Sequence, residues 1–505
     1  MSRYRIAWTI AGMVWLVATI AQAQSFVEEA LMVSRTQPGG TARIQAMGGA
    51  QIALGGDLSS TSSNPAGLGM YNRSEVSITP GYGTYAYHSA YLGQDEKANR
   101  NNLMIANLGV ALHSAQDGRK GIWGGTLALT FNRVNNFNET FTYSGTNPDN
   151  SVIDYFISDA NGTNTSQFSP GGFQYNTPTG LAYYNYLIGP QDILAPPGPS
   201  DEYFTDVTGI PQQSETVKNS GAQNQWTLAY ALNFNDKFFV GASLGIVKMS
   251  FESEKTYTER FMDAGQPMSE MQLRESLSLD GTGINGTLGF IFRPLSTVQV
   301  GLAITTPTGL EIDDNYSANM TSQWDSFVYL PGDTLTFEDA STDIVTSTYN
   351  ISTPWRTSFG LAWFFGKQGF VTTDVEWINY SSARYSGDDD WSADNNEIAG
   401  LYKSTFNFRL GGEYRYNNYR FRAGYNFMPD PFKTPQNGVN REISSFSGGV
   451  GYRTAKFYVD LAYIHGSGDN SYRPYALNYP LDPLVKQTKK SDIFLVTVGF
   501  PFGVH

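Results

Sequence analysis

Apolar and polar side chains alternate in many segments of about ten residues or more, and this pattern limits the folds that the chain can adopt. From residue 73 onward, every second residue of such a segment (one parity of the strand) is aromatic or aliphatic, as in Trp226, Leu228 and Tyr230. The opposite parity of such segments carries charges such as Arg409 and Glu413. Successive residues of a strand point to opposite faces, so each segment predicts one apolar and one polar face. An apolar outside and a polar inside are typical of a transmembrane β-barrel.

The number and spacing of these segments favour an all-β fold, a 14-stranded antiparallel transmembrane β-barrel. An even number of strands leaves both termini on the periplasmic side, and the connections alternate between tight turns and longer loops, as outer-membrane barrels require. The largest loop, predicted to be extracellular, spans 144–223. The predicted strands are 73–92, 101–115, 121–143, 224–236, 237–259, 271–292, 295–312, 349–366, 369–385, 403–416, 418–428, 441–453, 455–466 and 489–502.

Composition narrows the class of protein further. Aromatic residues make up 14% of the chain, whereas the mean hydropathy of −0.31 is that of a soluble protein, and transmembrane barrels combine the two. The absence of cysteine excludes disulfides and thiolate metal sites. The formal net charge of −13 argues against a nucleic-acid partner, because phosphate binding needs a basic face.

The N-terminal part divides into a leader and a segment without strands. Arg3 and Arg5, an apolar run and the small residues Ala21 and Ala23 predict a signal peptide over 1–23. Residues 24–69 are rich in Gly, Ala and Ser and precede the barrel, 70–505, so we expect them to form a hatch, or plug, inside its lumen. The alternative is a disordered periplasmic tail, for which the same composition would suffice.

Three short motifs in the hatch segment are similar to those of a known protein family. Gly48-Gly49-Ala50, Gly56-Asp57 and Asn64-Pro65-Ala66 just before the first strand resemble the FadL/TodX (OmpP1/FadL) family of outer-membrane transporters. The resemblance implies a barrel with an N-terminal hatch in the bacterial outer membrane. It further implies uptake of long-chain fatty acids or other hydrophobic compounds, captured by external loops and released sideways through the barrel wall. The predicted hatch motif is Gly48, Gly49, Asn64, Pro65 and Ala66.

The long external loop is the predicted site of ligand capture. An exposed apolar loop on an exported protein indicates a ligand or partner site, and Leu181 to Ile188 has the pattern of a short amphipathic helix. The alternative is that these side chains pack against each other over the barrel mouth. The candidate binding residues are Tyr155, Phe156, Phe173, Tyr183, Tyr184, Leu187 and Ile188.

The third strand contains the candidate lateral opening. Its apolar parity is interrupted at Arg133 and Asn135, and Asn136 follows, so a bulge or kink is expected there. Alternatively, the strand has already left the hydrocarbon at this point. The inward-facing charges elsewhere either hold the hatch or are simply solvated. A charged lumen disfavours an apolar cargo, and for that reason a sideways exit is physically reasonable.

Other functional classes find less support. The four histidines form no nucleophile and base pair, so neither an enzyme nor a metal or other cofactor is predicted. A nonspecific or gated porin and a haemin receptor remain the alternatives to a transporter. Expected partners are the hydrophobic ligand, outer-membrane lipid and the barrel assembly machinery, and the chain is expected to be a monomer. The assembly machinery would recognise the apolar last strand that ends near Phe502.

Overall fold

One antiparallel sheet of 14 wall strands closes on itself, because the last strand pairs with the first from Ser74 opposite Phe502 to Ala90 opposite Lys486. The computed structural model describes residues 26–115, 121–191, 202–477 and 482–503. The predicted signal peptide lies outside them. Across these ranges no helix has both the length and the apolar character needed to span a membrane.

The first seven wall strands confirm the predicted sequence of strands, and two of them are interrupted. Strand β3 breaks at residues 137–138, and β7 breaks at 306–308. The strands are β1 (Ser74–Tyr91), β2 (Gln94–Ala115), β3 (Ile122–Asn136 and Glu139–Thr146), β4 (Pro211–Phe234), β5 (Phe238–Phe261), β6 (Met268–Leu295) and β7 (Val298–Thr305 and Gly309–Leu330).

The second half of the wall follows the same pattern. After β7 the chain returns along its external end as a short strand, Asp333–Ser341, before it re-enters the wall. The strands are β8 (Val345–Ser352 and Arg356–Phe364), β9 (Gly369–Asn379 and Arg384–Ser386), β10 (Ser404–Tyr416), β11 (Tyr419–Met428), β12 (Ile443–Arg453), β13 (Tyr458–Tyr472) and β14 (Val485–Phe502).

The two faces of the wall have the predicted polarity. Trp226 and Leu228 are 47% and 51% exposed on the outer surface, whereas Arg409 and Glu413 are buried in the lumen. Exposed aromatic side chains on the outside are expected where a barrel meets lipid. Where a strand alternates in this way, the pattern therefore assigns its residues to the membrane or to the interior.

Several strands extend beyond the predicted ends, on the side of the long loops. Strand β4 begins at Pro211 and β3 continues to Thr146, so the connection between them spans 147–210 rather than 144–223. It contains α4 (Val152–Ala160), a 3₁₀ helix (Thr165–Phe168), α5 (Pro178–Tyr184) and the paired two-residue strands Gly189–Pro190 and Tyr203–Phe204. The predicted helix over Leu181 to Ile188 thus begins and ends earlier. A further helix, α6 (Ser392–Leu401), lies in the connection between β9 and β10.

The N-terminal hatch lies inside the barrel. It consists of α1 (Phe26–Ser34), α2 (Ala42–Gln45), α3 (Ser60–Ser63) and a 3₁₀ helix (Pro65–Met70). Its apolar side chains, such as Ala30, Leu58 and Leu68, are fully buried against the wall. Such burial excludes the alternative of a free periplasmic tail for this part of the chain.

Candidate functional site

The Asn64-Pro65-Ala66 motif fixes the end of the hatch to the wall. Asn64 Nδ2 donates to the carbonyl of Ile52, 2.6 Å away, and to that of Phe290 in β6, at 3.3 Å. Its Oδ1 accepts from the backbone N–H of Ala66 at 3.2 Å and so caps the 3₁₀ helix. Asn64 has no solvent exposure, so its side chain joins two parts of the hatch to the barrel.

Glycines that point into the lumen allow the hatch backbone to approach the wall. A Cβ atom at Gly289 would lie 2.0 Å from Asn64 Oδ1, and one at Gly424 would lie 2.1 Å from the backbone nitrogen of Gly48. Any side chain at these positions would displace the hatch. We call the set with such contacts the glycine belt: Gly241, Gly289, Gly301, Gly360, Gly411, Gly424 and Gly449.

The charged lumen residues also contact the hatch. Arg43 of α2 lies 3.6 Å from Asp57 of the hatch and 3.6 Å from Glu413 of β10. Glu413 in turn pairs with Arg422 at 2.8 Å, and Arg422 pairs with Asp460 at 2.6 Å. The lumen charges thus form a network that includes the hatch, rather than a set of separately solvated groups.

A second carboxylate binds the hatch through its backbone. Asp374 Oδ2 accepts from the N–H groups of Gln51, at 2.6 Å, and Ile52, at 3.0 Å. Asp374 is buried on β9, one strand from the Gly360 position where the same hatch segment touches the wall. Backbone donors paired with a charged acceptor form strong hydrogen bonds, so this contact holds the middle of the hatch.

Helix α1 places an aromatic side chain and an acid against β8, β9 and the connection that follows β9. The ring of Phe26 contacts those of Tyr349, Tyr385 and Trp391 at centroid distances of 5.6, 5.5 and 5.0 Å. Glu29 accepts from the Tyr349 hydroxyl at 2.9 and 3.0 Å. Burial raises the pKa of Glu29, which lies on the hatch and outside the strands, to about 8, although the hydrogen bond from Tyr349 lowers it.

A cavity of about 380 Å³ separates one side of α1 from the wall. Apolar side chains line part of it, among them Leu31, Met32 and Met104, and charged groups line the rest, including Arg35 and Arg133. A cavity with both kinds of surface fits a molecule with an apolar body and a polar end. It extends along the wall to the interrupted part of β3.

The hydrogen-bond ladder between β2 and β3 stops at Asn107 and Asn132. Beyond this point, residues 94–106 of β2 pair only with β1, and the rest of β3 pairs only with β4, within the described ranges. We call this gap in the ladder the wall break. Polar side chains bridge it: Asn102 Nδ2 donates to Asn136 Oδ1 at 3.3 Å, and Arg100 donates to the carbonyl of Glu139 at 3.4 Å.

The sequence profile of the Outer membrane protein transport protein family (OMPP1/FadL/TodX) matches residues 201–472, which are more than half of the 505 residues. The chain belongs to this family. It is therefore a FadL-type β-barrel of the bacterial outer membrane, in a family of transporters for hydrophobic compounds.

Two solved structures have the same fold as this FadL-type protein. A FadL homologue of Pseudomonas aeruginosa is 12% identical, with 93% of this chain and 99% of that chain covered and a TM-score of 0.58. The toluene transporter TodX of Pseudomonas putida is 14% identical, with 93% and 100% covered and a TM-score of 0.52. No curated protein matches the chain in sequence. At these identities the likeness shows the fold alone.

The predicted residues of this FadL-type protein fall in three places. The five hatch-motif residues touch the wall or support the contact that Asn64 makes with it. Gly48 and Gly49 have positive φ angles of 67° and 78°, which favour glycine. Arg133, Asn135 and Asn136 lie at the wall break, and a bulge separates Arg133 from Asn135 in the pairing with β4. Their role in lateral opening stays a prediction.

The predicted ligand-binding residues belong mainly to the packed core of the connection 147–210. Phe156, Leu187 and Ile188 are at most 2% exposed and pack with wall residues such as Trp324. Phe173 and Tyr184 are 59% and 40% exposed, and Tyr155 and Tyr183 lie at the edge of the cluster. These contacts are those of the self-packing alternative, and ligand capture by this loop stays a prediction.

Sequence reasoning missed the glycine belt and the acid on α1. The glycines of the belt occupy strand positions whose side chains would face the lumen. Glycine at these positions was therefore a signal in the sequence that another backbone approaches the wall closely. Glu29 sits in a short helix with no pattern that indicates which wall residues it meets. Only the folded barrel brings it to Tyr349.

The raised pKa of Glu29 predicts that α1 docks less tightly as the pH rises. The docked carboxyl retains its proton above the ordinary value of 4.5, so docking is strongest below pH 4.5 and weakens until about pH 8. We expect hydrogen-exchange protection of residues 26–34 to fall about tenfold or more between pH 6 and pH 9, after correction for intrinsic rates. Glu29→Gln should abolish this pH dependence, and Glu28→Gln should retain it. Equal protection of the unmodified protein at both pH values would contradict the prediction.

Proposed function

We propose that this protein takes up hydrophobic small molecules, long-chain fatty acids in particular, across the outer membrane. External loops capture the molecule, the cavity beside α1 receives it, and the wall break releases it sideways into the membrane. The hatch keeps the lumen closed to water-soluble solutes during this passage. The single observation that carries the proposal is the position of the cavity between the hatch and the wall break.

The polarity of the lumen supports sideways release rather than passage through the barrel. The axial route is occupied by the hatch and by the ion pairs around Glu413 and Arg422. Moving an apolar chain past these groups would require it to displace charge-assisted hydrogen bonds. The wall break is held by side-chain hydrogen bonds, such as that between Asn102 and Asn136 and that from Arg100 to the carbonyl of Glu139, and it leads to an apolar medium.

The mixed lining of the cavity supports an amphipathic cargo. Leu31, Met32 and Met104 offer apolar surface for a hydrocarbon chain. The charged part of the lining has both signs, and within it Arg35 and Arg133 offer positive charge for a carboxylate. A neutral aromatic hydrocarbon, the cargo named for the toluene transporter TodX, would use the apolar lining but would form no charge-assisted contact with these cations. We therefore favour fatty acids over aromatic hydrocarbons for this chain.

A disulfide across the wall break tests sideways release. The chain has no cysteine, so Asn102→Cys combined with Asn136→Cys introduces a single possible bridge between β2 and β3. We expect oxidation to reduce transfer of a long-chain fatty acid into proteoliposomes about tenfold or more, because the strands can no longer separate. A reducing agent should restore transfer.

A matched pair below the wall break provides the control. Asn107 and Asn132 are ladder partners joined by a 2.6 Å hydrogen bond, so a disulfide between cysteines at these positions leaves the break free. Transfer in this oxidised control should equal that of the reduced protein. If the bridge at positions 102 and 136 forms and transfer is unchanged, sideways release at this site is wrong.

Partners of the transporter follow from its place in the membrane. We propose that outer-membrane lipid surrounds the apolar band and receives the released molecule. The alternating last strand, with Phe494, Val496 and Phe500 exposed, supports recognition by the barrel assembly machinery. Closure of the sheet within one chain supports a monomer.

A further inference from the structure

A second pocket lies against the wall break, on the membrane side of the cavity beside α1. It has a volume of about 320 Å³, and Asn102 and Leu103 of β2 line one side of it. Arg133 and Asn138 of the β3 region line the other, and Lys248 of β5 lies nearby. Its nine lining residues include two cations and no acid, although the whole chain has 46 acidic and 33 basic residues. This excess of positive charge is local.

Arg133 lines both the pocket and the cavity. Its Nε donates to Asn224 Oδ1 at 3.3 Å, and its terminal nitrogens have no hydrogen-bond partner among the described residues. A guanidinium that borders both spaces can contact the same anionic group before and after it crosses the wall. The pocket is therefore a continuation of the cavity on the other side of the wall break.

The strand register places the two cations directly beyond an apolar row. Arg133, Asn224 and Lys248 face each other across β3, β4 and β5, and the row two residues nearer the turns is Phe131, Trp226 and Ile246. Trp226 and Ile246 are about half exposed, and the Phe131 ring contacts that of Trp226 at 5.4 Å. The two rows are about 7 Å apart along the strands.

This arrangement matches the two ends of an amphipathic molecule. A carboxylate at the row of Arg133 and Lys248 would place its chain against the apolar row and the exposed side chain of Leu103, which is 79% accessible. Lys248 has no ion pair with any described residue. Asp280 lies on the neighbouring strand opposite Ser250, but it does not line the pocket.

We infer that this pocket is an exit site for the carboxylate of a fatty acid, which Arg133 passes from the cavity to Lys248 at the membrane surface. The inference rests on the proposed function and adds to it a selection for cargo with an anionic head. A phosphate of a membrane lipid has similar charge. However, Arg133 also faces the interior cavity, which favours the cargo as the source of the anion.

The test compares oleic acid with oleyl alcohol, which has the same chain and no charge. Transfer into proteoliposomes is measured for the unmodified protein and for Arg133→Gln combined with Lys248→Gln. We expect transfer of the acid to fall about tenfold, and transfer of the alcohol to stay unchanged, because only the acid forms the charge-assisted contacts. The single variant Arg133→Lys, which keeps the positive charge, should retain most of the transfer of the acid. Heat-modifiable migration on gels shows whether each variant is folded.

The outcomes separate this inference from the proposed function. If the unmodified protein moves neither molecule, the proposed function is wrong. If it moves both, and the double variant loses both equally or neither, the exit site alone is wrong.

A photoreactive oleic acid with its label next to the carboxyl provides a direct measurement of binding. We expect it to label the peptides that contain Leu103 or Ala222 in the unmodified protein and not in the double variant. If lipopolysaccharide in the vesicles abolishes this labelling while transfer continues, the pocket binds lipid phosphate and the inference is overturned.

Discussion

Deletion of residues 26–70, with residues 1–25 retained, is expected to convert this protein into an open pore. The segment fills the lumen with buried side chains and contributes Arg43 to the ion-pair network, so its removal leaves a water-filled channel lined by charge. A barrel of 14 strands has an interior between those filled by side chains alone and those of open porins. We expect single-channel conductance for small ions to rise by an order of magnitude or more in planar bilayers.

The deletion also tests the function of the hatch in transport. Loss of the contacts that α1 makes should remove one wall of the cavity, so fatty-acid transfer should fall while ion flow rises. Protein that retains heat-modifiable migration serves as the folding control. Conductance equal to that of the full chain would show that the segment does not close the lumen, and the proposed mechanism would then lose its basis.

Substitution of Gly411 by alanine is expected to displace the hatch without any change in charge. A Cβ atom at this position would lie 2.5 Å from the backbone oxygen of Met47, too close for a real contact. The backbone cannot give way as a flexible side chain would, so overpacking of about 1 to 3 kcal/mol is expected. We predict raised ion conductance and faster proteolysis of residues 26–70 in the folded barrel.

The adjacent residue provides a matched control for that change. Gly412 follows in the same strand and points to the lipid, where the nearest atom to an added Cβ would be 3.5 Å away. Gly412→Ala should therefore leave both conductance and proteolysis unchanged, since β10 tolerates a methyl group on that face. Equal behaviour of the two variants would mean that the close approach at Gly411 does not hold the hatch.

The wall was predictable because its signal is local. Each strand that crosses the bilayer must show an apolar face to lipid, and residues such as Trp226, Leu228 and Phe408 carry that pattern without reference to any partner. Outside the bilayer the constraint ends. The first part of β4, from Pro211 to Gln223, has polar residues on both parities, so the sequence offers no apolar period to mark it as a strand.

The candidate site was predictable only in part, because it depends on contacts between distant segments. The run of asparagines after Arg133 indicates an irregular strand, but the loss of pairing between β2 and β3 is a property of two strands. The aromatic side chains of the connection 147–210 have the composition of a binding surface, whereas Phe156 and Leu187 pack into a core with Trp324 of β7. Composition does not distinguish an exposed apolar surface from a buried one.

The lumen charges illustrate the same limit. Parity placed Arg409, Glu413 and Arg422 inside the barrel, which the structure confirms. The pairing of Glu413 with Arg43 of the hatch required the position of a segment more than 300 residues away in the chain. Whether such charges are solvated or paired follows from what else fills the lumen.

Simultaneous measurement of fatty-acid transfer and ion conductance in the same proteoliposomes tests the central claim most directly. The unmodified protein should transfer oleic acid into the membrane while its conductance for small ions stays at the level of protein-free vesicles. A steady ion current without transfer of oleic acid would identify a porin and contradict the account.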